Sequence, residues 1–313
     1  MTETNLKPVV LYAYEIDNKE LTKSHSDLKE KLSKKLAENK ESASNRRMII
    51  NSLSNEEDLL SSYSISKQLL FGVMWRIIPQ KEVPNIPLEL FNHPTITLND
   101  IMDKEGNTLL TCKDHYYFAL NEKYIVTNAR KSKIKAFEAY INWLLEAERL
   151  DTTYSFTPLI QPPKETKLSQ IENIVFSQPK PDKKKKQDTA STEDAKSSKV
   201  INFALDMLKK VVEDVPEWKT MMENNILSAK LLVKFSQPKK MENEVYRKLL
   251  GTCMKPIDDA AGVSFKLKNG TTVTGSNLIV TKTVEVEKVT VGISEPSIRL
   301  AMENFLKDLN NVQ

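Results

Sequence analysis

The sequence predicts an α+β fold in two domains, each a mainly antiparallel sheet with packed helices. At 313 residues the chain exceeds what one core usually fills, because domains cluster at roughly 100–150 residues and split beyond about 250–300. Short segments of strand character follow one another through tight turns, with amphipathic helical segments around them. Residues 178–199 hold Pro179, Pro181, four consecutive lysines and a Ser/Thr/Asp tail with almost nothing apolar, which is linker composition. The expected division is therefore a first domain over 1–177, a linker over 178–199 and a second domain over 200–313.

Residues 8–16 carry Val9, Val10, Leu11, Tyr12, Tyr14 and Ile16, the β-branched and aromatic content of a strand. Leu21, Leu28, Leu32 and Leu36 recur among lysines and glutamates, so 21–39 reads as a helix with one apolar stripe. The dense apolar run 69–78, closed by Pro79, reads as a buried strand. Shorter strands are expected at 108–112, 115–120 and 123–128, the last two joined by a turn at Asn121 and Glu122. Ile134, Phe137, Ile141, Leu144 and Leu145 give helical spacing within 133–149, and a strand over 153–161 precedes the Pro162-Pro163 break.

Past the linker, Ile201, Leu205, Leu208, Val212 and Val215 predict a helix, and Pro216 either stops it or starts the next turn around Trp218. Residues 228–235 alternate as a half-buried strand, 239–250 reads as helix, and 263–268 with 271–273 flank Asn269-Gly270, the signature of a type I′ hairpin turn. The alternating valines of 278–288 are expected to continue that sheet, and Ser294-Glu295-Pro296 starts a closing helix that buries Ile298, Met302, Phe305 and Leu309.

Several chemistries are disfavoured by composition. Seven glycines leave no GxGxxG and no GxxxxGK[ST], so the glycine-dependent cradles for dinucleotides and triphosphates are missing. Cys112 and Cys253 lie far apart, outside any CxxC or Cys/His spacing, and His25, His93 and His115 do not pair at helical spacing. No cofactor and no metal centre is expected. The longest apolar run is far short of the roughly 20 residues that span a bilayer, and residues 1–10 lack a leader's apolar core, so a cytoplasmic protein without direct membrane insertion is expected.

Charge distribution carries the functional expectation. From Ile226 to Ile293 there are eleven Lys or Arg against six Asp or Glu, a local excess of +5 in a chain whose net charge is +4. Lys230, Lys234, Lys266 and Lys268 fall on alternating positions of candidate strands, so a sheet would hold them as one open basic face, with Lys239, Lys240, Arg247 and Lys248 on the helix between. Such a face suits phosphate binding without base reading, although lysines on a solvated strand also blunt an edge against aggregation. Lys183, Lys184, Lys185 and Lys186 form a possible electrostatic arm, and Arg130, Lys131, Lys133 and Lys135 a third basic group at a helix start, where cations oppose the helix dipole. Asp258 and Asp259, followed by Ser264-Phe265-Lys266, approach a metal-dependent nuclease pattern but lack its second acid, and read more simply as turn or capping residues.

The layout also resembles that of the RexA-like phage-exclusion (abortive infection) proteins. The likeness rests on the opening strand with Tyr12 and Tyr14, the apolar strand at 69–75, and Thr157-Pro158-Leu159-Ile160. It continues in the lysine-bearing strand at 228–235, the Lys-rich helix after it, the strand at 263–267, and a closing helix with Arg299, Ala301 and Met302. The resemblance implies a two-domain, dimer-forming protein that binds double-stranded DNA and signals to a second, membrane-located defence protein. Lys183–Lys186 have no counterpart in that layout. The expectation is thus a non-enzymatic, largely sequence-nonspecific DNA-binding protein of a phage-defence system. A protein-interaction scaffold is the runner-up and a metal-dependent nuclease the third reading.

Overall fold

A computed structural model describes residues 6–17, 26–38, 42–51, 56–77, 88–97, 100, 112–147, 153–161, 170–177, 230–234, 240–252, 263–289 and 292–311. It is α+β, with antiparallel sheets and segregated helices, as the sequence predicts. The chain divides into two compact units, one comprising 1–156 with 281–313 and the other 157–280.

The first unit is built on β1 (Leu6–Asp17), α1 (Leu28–Glu38), β2 (Arg47–Asn51), β3 (Glu56–Ile65), β4 (Leu70–Ile77), β5 (Cys112–Leu120), β6 (Tyr124–Thr127) and α2 (Lys131–Leu144). β7 (Ser155–Pro158) pairs with β1. From Leu69 to Ile77 the run is buried along nearly its whole length because β4 lies in mid-sheet, between β3 and β5. The turn between β5 and β6 falls at the expected place, where the Asn121 side-chain oxygen accepts from the backbone N–H groups of Lys123 (2.8 Å) and Tyr124 (2.7 Å). On one face Leu28, Leu32 and Leu36 of α1 and Phe137, Tyr140 and Ile141 of α2 close over Tyr14, Ile16, Met74, Phe118 and Ile125.

The second unit contains β8 (Ile171–Ser177), β9 (Lys230–Lys234), α3 (Asn243–Thr252), β10 (Val263–Leu267) and β11 (Thr272–Thr274), whose sheet runs β11-β10-β8-β9. Gly251 of α3 passes so close to the chain at Pro158 that a Cβ there would lie 2.8 Å from the Pro158 carbonyl oxygen. The unit's first and last residues run side by side: Val280 N–H donates to the Leu159 carbonyl and Gln161 N–H to the Leu278 carbonyl, both at 2.8 Å.

Three expectations need correction. The strand read at 278–288 does not extend the second sheet: as β12 (Thr281–Glu287) it pairs antiparallel with β1, from Leu6 opposite Glu287 to Tyr12 opposite Thr281. The closing helix α4 (Glu295–Asn311) goes with it and packs across β5, β6 and β12, so the chain end belongs to the first unit. Conversely residues 171–177, assigned to the first domain on sequence with no strand read there, form β8, a central strand of the second unit, so the cut at 177 and 200 does not match the observed units. The proposed linker, 178–199, and the helix expected at 201–215 lie outside the described residues.

The third correction concerns the hairpin. Gly270 has φ of +85°, but the only described non-glycine residue with positive φ is Glu146, so Asn269 does not adopt the type I′ conformation. Instead Gly270 N–H bonds the Leu267 carbonyl at 2.8 Å and Leu267 N–H bonds the Thr271 carbonyl at 2.8 Å, a three-residue loop with glycine at the left-handed position. Among the described residues no helix is long and apolar enough to cross a membrane.

Candidate nucleic-acid interface

The second unit's sheet sorts its residues by simple alternation. Phe265 of β10 and Ile174 of β8 pair directly on one face, and both are fully buried. The opposite face holds a transverse row. Thr272 of β11 pairs with Lys266 of β10, Lys266 pairs with Asn173 of β8, and Asn173 pairs with Lys234 of β9. Residues directly opposite one another point to the same side of a sheet, so the four positions face one way.

Lys266, Lys234 and Thr272 are exposed, while Asn173 between the lysines is only 6% exposed. Its Nδ2 donates to Glu172 Oε2 at 3.3 Å and its Oδ1 is buried without a hydrogen-bond partner among the described residues. Two β-strand spacings place the two lysine backbones roughly 10 Å apart. Lys230 pairs with Ser177 at the start of β9.

Several of the other expected residues fall elsewhere. Lys268 is exposed but sits in the hairpin loop beyond the end of β10, so it does not share the strand face of Lys266. Lys248, expected on an open helix face, is turned inward to 9% exposure with Tyr246 and Leu250. Arg247 keeps 18% of its side chain exposed and pairs with Glu244 at 3.8 Å. Lys240 is exposed just ahead of α3.

Arg130 is an exposed cation of the first unit, at the N-cap of α2, where its side chain makes no capping bond; Lys131 follows as the first helical residue. In the same group Lys133 pairs with Asp114 at 2.8 Å. Lys239, Lys183, Lys184, Lys185, Lys186, Asp258 and Asp259 lie outside the described residues, as do His25 and Cys253. His115 is a packed residue, edge-on to Tyr117 at 5.7 Å, and burial lowers its pKa. Among the described residues no group of three His, Cys, Asp or Glu is placed to hold a metal ion.

Asn173 was missed on sequence because β8 was, whereas the strand that carries Thr272 was expected and only its place in the row was not. The register of β8 slips at Lys266/Leu267, so that Lys266 faces Asn173 but Leu267 faces Ile171, leaving Glu172 as the extra residue. Both Ile171 and Ile174 are therefore buried, three positions apart, and the period of two that marks a strand is broken. No family model, no curated protein and no solved structure matches the chain.

Proposed function

We propose that this is a non-enzymatic, largely sequence-nonspecific binding protein for double-stranded DNA, acting through the open face of the second unit's sheet. The observation that supports it is the row Thr272, Lys266, Asn173, Lys234, in which two exposed ammonium groups flank a polar centre on a face whose opposite side is core. Lysines on a rigid sheet neutralise backbone phosphates and release condensed counterions, without reading base edges. Exposed Lys268, in the hairpin loop just beyond β10, adds a further positive charge. The layout shared with RexA-like proteins supports a role in phage exclusion, as a cytoplasmic homodimer that passes its signal to a second defence protein.

The test is a fluorescence-anisotropy titration of the full chain with labelled duplex DNA of two unrelated sequences, at low and high salt, with and without magnesium, followed by a gel. Binding of both duplexes that weakens with salt, with the DNA intact, supports the proposal. Cleavage that requires magnesium would replace it with the nuclease reading. No binding at low salt would leave the basic face as a dock for an acidic protein.

A further inference from the structure

The two faces of the first unit's sheet are covered unequally. On the face opposite α1 and α2, helix α4 packs across β12, β6 and β5, and where β3 and β4 continue beyond it a cleft of about 460 Å³ opens. That volume lies in the range of small-molecule sites, roughly 300–1,000 Å³. Its floor is Ser62 and Ser64 of β3 and Phe71 of β4, and α4 supplies Glu295, Arg299 and Leu300 as a wall.

The floor is rigid. Ser64 pairs directly with Phe71 across the strands, and the Phe71 ring stacks on Tyr117 with centroids 6.1 Å apart and planes 22° from parallel. The Ser64 hydroxyl is buried without a hydrogen-bond partner among the described residues, a cost that a ligand could remove. Leu300 stands at the rim with 58% of its surface exposed.

The wall carries two opposite charges that do not satisfy each other. Glu295 is partly withdrawn from water, which raises its pKa, and its opposing support is a hydrogen bond from Ser62. Arg299 follows one helical turn later, a spacing at which side chains can meet, yet among the described residues it makes no ion pair or hydrogen bond. The other carboxylate of the cleft, Glu303, is held by Lys307 at 2.8 Å. The cleft thus presents one carboxyl without an opposite charge on it and one guanidinium, a turn apart, above an aromatic floor.

We propose that this cleft binds a small zwitterion of the α-amino-acid class with an apolar side chain. Its ammonium sits on Glu295 and Ser62, its carboxylate on Arg299, and its side chain between Phe71 and Leu300. A planar guanidinium suits a carboxylate because it offers paired donors, and partial exclusion of water strengthens both charge contacts. The site is independent of the DNA-binding proposal, since it lies wholly within the first unit.

Isothermal titration calorimetry of the full chain tests this with L-phenylalanine and L-leucine as probes, against phenethylamine, 3-phenylpropanoate and adenosine monophosphate. Binding of an amino acid, at least tenfold tighter than either singly charged analogue, is expected. Arg299→Ala and Glu295→Gln should each weaken that binding at least tenfold while retaining the cooperative melt of the parent chain. The proposal is overturned if neither amino acid binds, if a singly charged analogue binds equally well, if the nucleotide alone binds, or if both folded variants bind as the parent does.

Discussion

The Tyr140 hydroxyl donates to the Arg46 carbonyl at 2.7 Å while accepting from the Leu60 N–H at 2.9 Å, so one fully buried side chain of α2 joins two backbone segments. Burial raises its pKa far above the ordinary phenol value, in keeping with a neutral hydroxyl that both gives and takes a bond. Replacing Tyr140 with Phe keeps the ring against Trp143 but strands a buried N–H and a buried carbonyl. A loss of about 1–3 kcal/mol is expected from urea unfolding followed by circular dichroism, with an unchanged slope. A loss below 0.5 kcal/mol would show that neither group depends on the hydroxyl.

Gly72 lies where β3, β4 and β5 are most tightly packed. A Cβ built there would sit 2.5 Å from Phe118 Cζ and 2.9 Å from Leu60 Cδ1, both fully buried. Gly72→Ala is expected to cost about 1–3 kcal/mol through overpacking, read as a lowered melting temperature. An unchanged or higher melting temperature would mean that the Phe118 ring moves aside freely.

The DNA-binding proposal makes a residue-specific claim. Changing Lys234 and Lys266 together to Glu should abolish duplex binding, whereas Lys248→Met should leave the salt dependence untouched, because Lys248 is turned inward. The two exposed lysines account for a slope of roughly −2 in log K against log salt, at about −0.9 for each phosphate contacted. If the double variant binds as before, the interface lies elsewhere, with exposed Arg130 and its neighbours the next group to change.

Glu295 fixes the sign of one pH dependence. Its pKa in the folded chain is raised above the ordinary value of 4.5 by burial, with the Ser62 hydrogen bond opposing. The folded state therefore holds this proton more tightly than the unfolded state, and its contribution to stability falls as pH climbs from 4.5 through the raised value, then stays level. Glu295→Gln should accordingly melt higher than the parent at pH 7, and the gap should close below pH 4.5. A variant that melts lower at pH 7 would indicate that the carboxylate's favourable place in the first turn of α4 outweighs its desolvation.

What was legible in the sequence was local. The apolar run of β4, the turn at Asn121, the Leu stripe of α1 and the capped start of α4 each depend on residues a few positions apart, and each appears near its expected place. Partnership was not legible. The alternation that made β12 recognisable says which residues share a face but not which strand they lie against, and its partner β1 is at the other end of the chain. Lys234 and Lys266 were found because alternation specifies a face, yet the strand between them was hidden by a one-residue slip at Glu172. The cleft under α4 required the relation of that helix to β3 and β4, and no spacing within 294–311 encodes it.

The pairing of β1 with β12 also sets a timetable for synthesis. The strand that covers one edge of β1 leaves the ribosome roughly 270 residues after it, on the order of 10–50 s later at ordinary elongation rates. The second unit, whose ends are clasped at Leu159 and Val280, is translated in full before that partner is made. A nascent chain therefore completes its inner unit first and carries an unfinished outer sheet until the last helix emerges. The long wait makes that sheet edge a natural client for whatever holds unpaired strands in the cell.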